Sequence, residues 1–137
     1  MKKLKDFLLK NNASSDIFDF AKDLTLQEFL NTCDKGNWIL WLFENTSYKK
    51  NMKLKNQVTL RCFLVCRDLE RYSKKENQAL DAIKCVDNDG STLTSFDVQM
   101  SIEDNSVNYT ERSNLQKITA DICRKHLPFE IWNQSKI

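Results

Sequence analysis

Glycine and proline are nearly missing from this chain, which has two glycines and one proline in 137 residues. Turn-rich all-β folds need many more of both, so the shortage points to helices. It also leaves no glycine-rich loop to cradle a nucleotide phosphate. Neither a GxSxG elbow nor an HExxH helix is present. The one histidine, His126, stands just before Pro128. A histidine at the end of a helix serves the last carbonyls, and without a base beside it a cysteine stays a thiol rather than a nucleophile. The five cysteines are odd in number and form no CxxC pair. That argues against a disulfide framework and for reduced, mostly buried thiols. No segment approaches the ~18 apolar residues of a membrane span. The longest apolar run is Trp38 to Phe43. The N-terminal MKKLKDFLLKNN begins with basic residues, but Asp6 and Lys10 interrupt it, so it reads as an amphipathic first helix and not as a signal peptide. A single domain spanning residues 1–137, cytoplasmic and non-enzymatic, with no cofactor, is the expectation.

What the chain does have is charge, distributed unevenly. Charged residues make up 29 % of it, with a net charge of only +2. Residues 48–75 carry nine Lys/Arg (Lys49, Lys50, Lys53, Lys55, Arg61, Arg67, Arg71, Lys74, Lys75) against Asp68 and Glu70, a net of +7. Residues 76–111 carry eight acids (Glu76, Asp81, Asp87, Asp89, Asp97, Glu103, Asp104, Glu111) against Lys84, a net of −7. Such an asymmetry bears on partners more than on fold.

Apolar periodicity places the helices. Leu4, Phe7 and Leu8 give a short first helix. Ser15 is placed to cap a second that carries Ile17, Phe18, Phe20 and Ala21. Thr25-x-x-Glu28 is a capping box, in which hydroxyl and carboxylate each take a backbone amide, and it opens a third helix with Leu26, Phe29, Leu30 and Cys33. Gly36 is expected to end that helix in a left-handed C-cap, with Asn37 capping residues 38–45. Asn45 to Asn51 reads as a loop. Leu54, Val58, Cys62, Val65, Leu69 and Tyr72 then recur every three or four residues, the clearest helical period in the chain. Leu60, Phe63 and Leu64 add a second stripe to it, as in a central helix. Ser73-x-x-Glu76 opens a helix with Leu80, Ile83 and Val86, which Asp87-Asn88-Asp89-Gly90 ends. In residues 91–113 a helix is predicted with Leu93, Phe96 and Met100 on one face. A last helix with Leu115, Ile118, Ile122 and Cys123 stops before Pro128, and Phe129, Ile131 and Trp132 fold back onto the rest. The expectation is an all-α fold, one compact multi-helix bundle, with Trp38 and Trp41 in its core.

Three sets of residues carry chemistry worth weighing. Cys62 and Cys66, one turn apart, could join Cys123 and His126 around a metal. The usual knuckle spacings are missing, and neighbours such as Phe63 and Val65 favour structural thiols, so no metal is expected. The basic stretch could track phosphates, with Lys49, Lys50, Lys53 and Lys55 as contacts. The acidic stretch could meet a basic protein surface, with Asp87, Asp89, Asp97, Glu103 and Asp104 as contacts, because opposed charge speeds encounter and competes with other ligands.

The segment Leu24-Thr-Leu-Gln-Glu-Phe-Leu-Asn-Thr-Cys-Asp-Lys-Gly-Asn-Trp-Ile-Leu-Trp-Leu resembles a signature of small helical proteins from bacteria and phages that are labelled immunity proteins of polymorphic toxin systems, or phage and mobile-element proteins. There it runs roughly Thr-Leu-x-x-Ala-Trp-x-x-Cys-x-Arg-x-Asp-Trp-x-x-Trp-Leu. Cys66-Arg-Asp-Leu-Glu-Arg-Tyr with Ala79-Leu-Asp-Ala-Ile, and Leu115-Gln-Lys-Ile-Thr-Ala-Asp-Ile-Cys-Arg-Lys-His-Leu-Pro, resemble later motifs of the same group in the same order. The chain departs from the group at Phe29-Leu30, which replaces Ala-Trp, at Lys35-Gly36-Asn37, which replaces Arg-x-Asp, and in residues 91–113, which lack an alanine-rich run. The resemblance implies a helical protein that binds and neutralises another protein. That partner would be a toxin, or a host defence nuclease blocked by a phage-encoded, anti-CRISPR-like inhibitor, in a bacterial cytoplasm. A nucleic-acid-binding regulator using residues 48–75 is the alternative expectation.

Overall fold

A computed structural model describes residues 2–46, 52–67 and 93–132. Within them the chain is all-α. Eight helices follow in order: α1 Lys5–Lys10, α2 Ser15–Ala21, α3 Leu26–Thr32, α4 Gly36–Glu44, α5 Met52–Arg67, α6 Ser95–Asp104, α7 Tyr109–His126 and α8 Phe129–Trp132. Among the described residues the one extended pairing is an isolated antiparallel bridge between Lys3 and Thr25. There the Leu4 amide donates to the Leu24 carbonyl at 2.9 Å. The expected helix at Ser73-x-x-Glu76, its stop at Asp87 to Gly90, and the Leu69 and Tyr72 positions of the expected long helix lie outside the described residues.

Local chemistry explains the helix ends. Helix α1 closes in a Schellman motif: the Asn12 amide donates to Leu9 and the Ala13 amide to Leu8, with Asn12 left-handed at φ 56°. Ser14, not Ser15, caps α2, its Oγ accepting from the Ile17 amide at 3.4 Å. The Thr25 capping box forms as expected. Thr25 Oγ1 accepts from the Glu28 amide at 3.2 Å, and Glu28 Oε1 accepts from the Thr25 amide at 3.0 Å. The bond from the Thr25 backbone, with help from its side chain, holds the Glu28 carboxyl below its ordinary value.

Gly36 differs from expectation in an instructive way. Helix α3 already ends at Thr32, Cys33 is extended, and Gly36 is the first residue of α4. A Cβ on Gly36 would sit 2.5 Å from the carbonyl carbon and the Cβ of Thr119 on α7. Glycine is therefore needed here for the close approach of two helices, not for a left-handed cap. Asn37 is likewise not the cap; it lies buried inside the first turn, and its Oδ1 has no partner among the described residues.

Helix α4 packs against α5, α6 and α7 and holds the centre. Ile39, Leu40, Leu42 and Phe43 are all buried. Around them close Val58, Cys62 and Val65 of α5, Val98 and Ile102 of α6, and Leu115, Ala120 and Cys123 of α7. The second stripe expected to make α5 central, Leu60, Phe63 and Leu64, is only half-buried. The C-terminal tail folds back as predicted. Trp132 is fully buried, meets the Phe43 ring edge-on at 4.9 Å, and donates from Nε1 to the Leu127 carbonyl at 3.1 Å. Trp38 and Trp41 pack against the core but stay half-buried at its rim. The Phe20 ring stands 5.7 Å from that of Trp38, and Lys35 Nζ sits 4.1 Å from the Trp38 ring centre, within cation–π range.

Candidate partner-binding surface

Helix α6 shows two unlike faces. Inward it presents Ser95, Val98, Ser101 and Ile102, all buried. Outward it presents Phe96, 62 % exposed, and Met100 one turn later, also exposed. Phe96 and Met100 therefore share a helical face as predicted, but it is the outward one, and Leu93 precedes the helix. Serines at the inward positions let α6 approach its neighbours closely, while the two large apolar side chains point out. Thr94-x-x-Asp97 is the signal that sequence reading missed. The Asp97 carboxylate accepts from the Thr94 amide at 2.7 Å and from its hydroxyl at 3.2 Å, which starts the helix at Ser95 and fixes its phase.

The far end of α6 turns into α7 through an ordered corner. Asn105 and Ser106 donate from their side chains to the Ser101 and Ile102 carbonyls. Asn108 caps α7 by accepting from the Glu111 amide at 2.9 Å, and Glu111 accepts from the Val107 amide at 2.8 Å. Between these bonds Val107 is 86 % and Tyr109 80 % exposed. A residue in Val107's position commonly staples onto an apolar side chain in the next turn, but that position is Arg112, so Val107 stays in water. Residues 93–111 carry Asp97, Glu103, Asp104 and Glu111 and no Lys or Arg. Glu103 and Asp104 are exposed and pair with no described residue. They stand at the C-terminal end of α6, where the helix dipole already concentrates negative charge. Of the predicted acidic contacts, Glu103 and Asp104 thus lie on this surface. Asp97 is committed to its cap, and Asp87 and Asp89 lie outside the described residues.

The predicted phosphate contacts fare differently. Lys53 is exposed on α5. Lys55 differs from expectation: it is only 5 % exposed, with Nζ donating to the Leu93 carbonyl at 3.1 Å and lying 3.7 Å from Glu44 Oε1. An ammonium held in this way cannot reach a phosphate. Lys49 and Lys50 lie outside the described residues.

The four described cysteines are core groups. Cys62 and Cys123 bring their Sγ atoms to 3.9 Å, Cys62 donating to the Thr119 carbonyl and Cys123 to that of Gly36. Burial pushes the Cys33 thiol up to about 11 and that of Cys66 up to about 12, and it raises Cys62 well above its ordinary value. Among the described residues no group of three or more His, Cys, Asp or Glu is placed to hold a metal ion. No described helix is long and apolar enough to cross a membrane.

Compared with known proteins, the chain matches no family model, no curated protein and no solved structure.

Proposed function

We propose that this chain is a non-enzymatic binding protein that neutralises a partner protein by covering a basic surface with α6 and the α6–α7 corner. The roles in view are immunity against a toxin and phage-encoded, anti-CRISPR-like inhibition of a host defence nuclease. One observation carries the reading: exposed Phe96 and Met100 are set on one ordered element with Glu103 and Asp104, which pair with no described residue. Apolar anchors with polar and charged groups beside them are the anatomy of a protein interface. Burying the exposed parts of the two apolar side chains would contribute on the order of 1–2 kcal/mol each, and the acids would steer a basic partner into place.

The test is affinity capture from the native host with the tagged chain and with the variant Phe96→Ser/Met100→Ser, each before and after DNase and RNase treatment. The expected result is a basic protein retained by the wild type after nuclease and lost from the variant. Capture that vanishes with nuclease, or that is the same for both chains, contradicts the proposal.

A further inference from the structure

We infer that Glu44 and Lys55 are positioning residues of this surface, which clamp the N-terminal end of α6 so that Phe96 and Met100 are presented in one orientation; the inference rests on the docking reading of α6. The clamp is built from three helices. Glu44, the last residue of α4, accepts from the Ser95 amide through Oε1 at 2.6 Å and from the Ser95 hydroxyl through Oε2 at 3.0 Å. Lys55 of α5 balances that carboxylate at 3.7 Å and donates to the Leu93 carbonyl at 3.1 Å. The Lys55 side chain is 6 % exposed and that of Glu44 19 %, so the pair is largely out of water.

A buried ion pair is a weak device for stability, because taking both charges out of water offsets most of their attraction. What it supplies is geometry. The Glu44 fork fixes both an amide and a hydroxyl of the first residue of α6, with negative charge at the positive end of the helix dipole. Lys55 fixes the backbone two residues earlier. Phe96 follows the clamped Ser95 directly, and Met100 lies one turn beyond. The inner face of α6 needs such help, since two of its four buried side chains are serines and specify little by packing. A pre-organised helix loses less freedom on binding, which is how a clamp remote from the contact raises affinity.

The experiment uses the full chain and the variants Lys55→Met and Glu44→Gln, with Ser95→Ala as the mildest change should either misfold. Amide hydrogen exchange is followed residue by residue. Binding of a helical peptide built of leucine and arginine is followed by NMR shifts. The clamp predicts exchange on the order of tenfold faster across residues 95–102 with residues 115–123 unchanged, and peptide affinity reduced on the order of tenfold. Unchanged α6 exchange in these variants overturns the clamp, whatever the peptide does. Exchange that rises equally in all helices also overturns it, because the pair is then merely structural. If the peptide leaves Phe96, Met100, Glu103 and Asp104 unshifted in the wild type, the docking reading fails and the positioning role fails with it, even where α6 exchange responds.

Discussion

Gly36 is where a missing side chain matters most. Its backbone lies against Thr119, and the end of α3 and residues 120–124 of α7 meet around this crossing. Cys123 donates to the Gly36 carbonyl, and Arg124 donates to the Cys33 carbonyl at 2.6 Å while pairing with Asp121 at 2.6 Å. The Ala-Asp-Ile-Cys-Arg segment thus ties α7 to the end of α3. Gly36→Ala should destabilise the chain by about 1–3 kcal/mol through overpacking, read by chemical denaturation. Thr25→Ala should cost about 1 kcal/mol through the lost cap. At the same box, Glu28 has a lowered pKa when folded. Its contribution is therefore complete above the unfolded carboxyl pKa and fades as pH falls through the lower folded value. An NMR titration should find Glu28 titrating below an unperturbed glutamate. The thiols of Cys33, Cys62, Cys66 and Cys123 are all buried. They should resist a thiol reagent at pH 8 in the native chain and react once it is unfolded.

At the scale of elements, α6 departs from what helices normally do. Its N-terminal end has two carboxylates, from Glu44 and Asp97, where the dipole favours them. Its C-terminal end has two more, where the dipole opposes them, and neutral Asn105 and Ser106 supply the caps instead. Local rules are broken at functional or strained sites more than elsewhere. Most elements were legible in the chain itself, because α3, α5 and α7 combine a cap or a long apolar period with few breakers. The phase of α6 was not. A helix that buries Ser95 and Ser101 and exposes Phe96 and Met100 inverts the usual pattern, and hydrophobicity alone assigns it the wrong face. Gly36 was misread for a related reason. A glycine between two helices suggests a turn, and its contact with Thr119 arises from a segment more than eighty residues away. The acids of the surface were legible as a charge run, but which of them stand free depends on caps that only the fold reveals.

At the scale of the whole molecule, the described parts of the basic and acidic stretches, α5 and α6, pack side by side. Their charges do not simply cancel. Lys55 turns inward to Glu44, Asp97 turns to its own cap, and Glu103 and Asp104 are left on the outside beside the apolar pair. A protein that kept these groups for stability alone would gain by changing them. The most direct measurement is a paired one on Glu103→Lys/Asp104→Lys, recording unfolding free energy and capture of the partner. Relief of the dipole should raise stability by about 0.3–1 kcal/mol for each change, while capture of the partner is lost. A chain that becomes more stable and captures its partner as before would contradict the account, because the acidic end of α6 would then not be the interface.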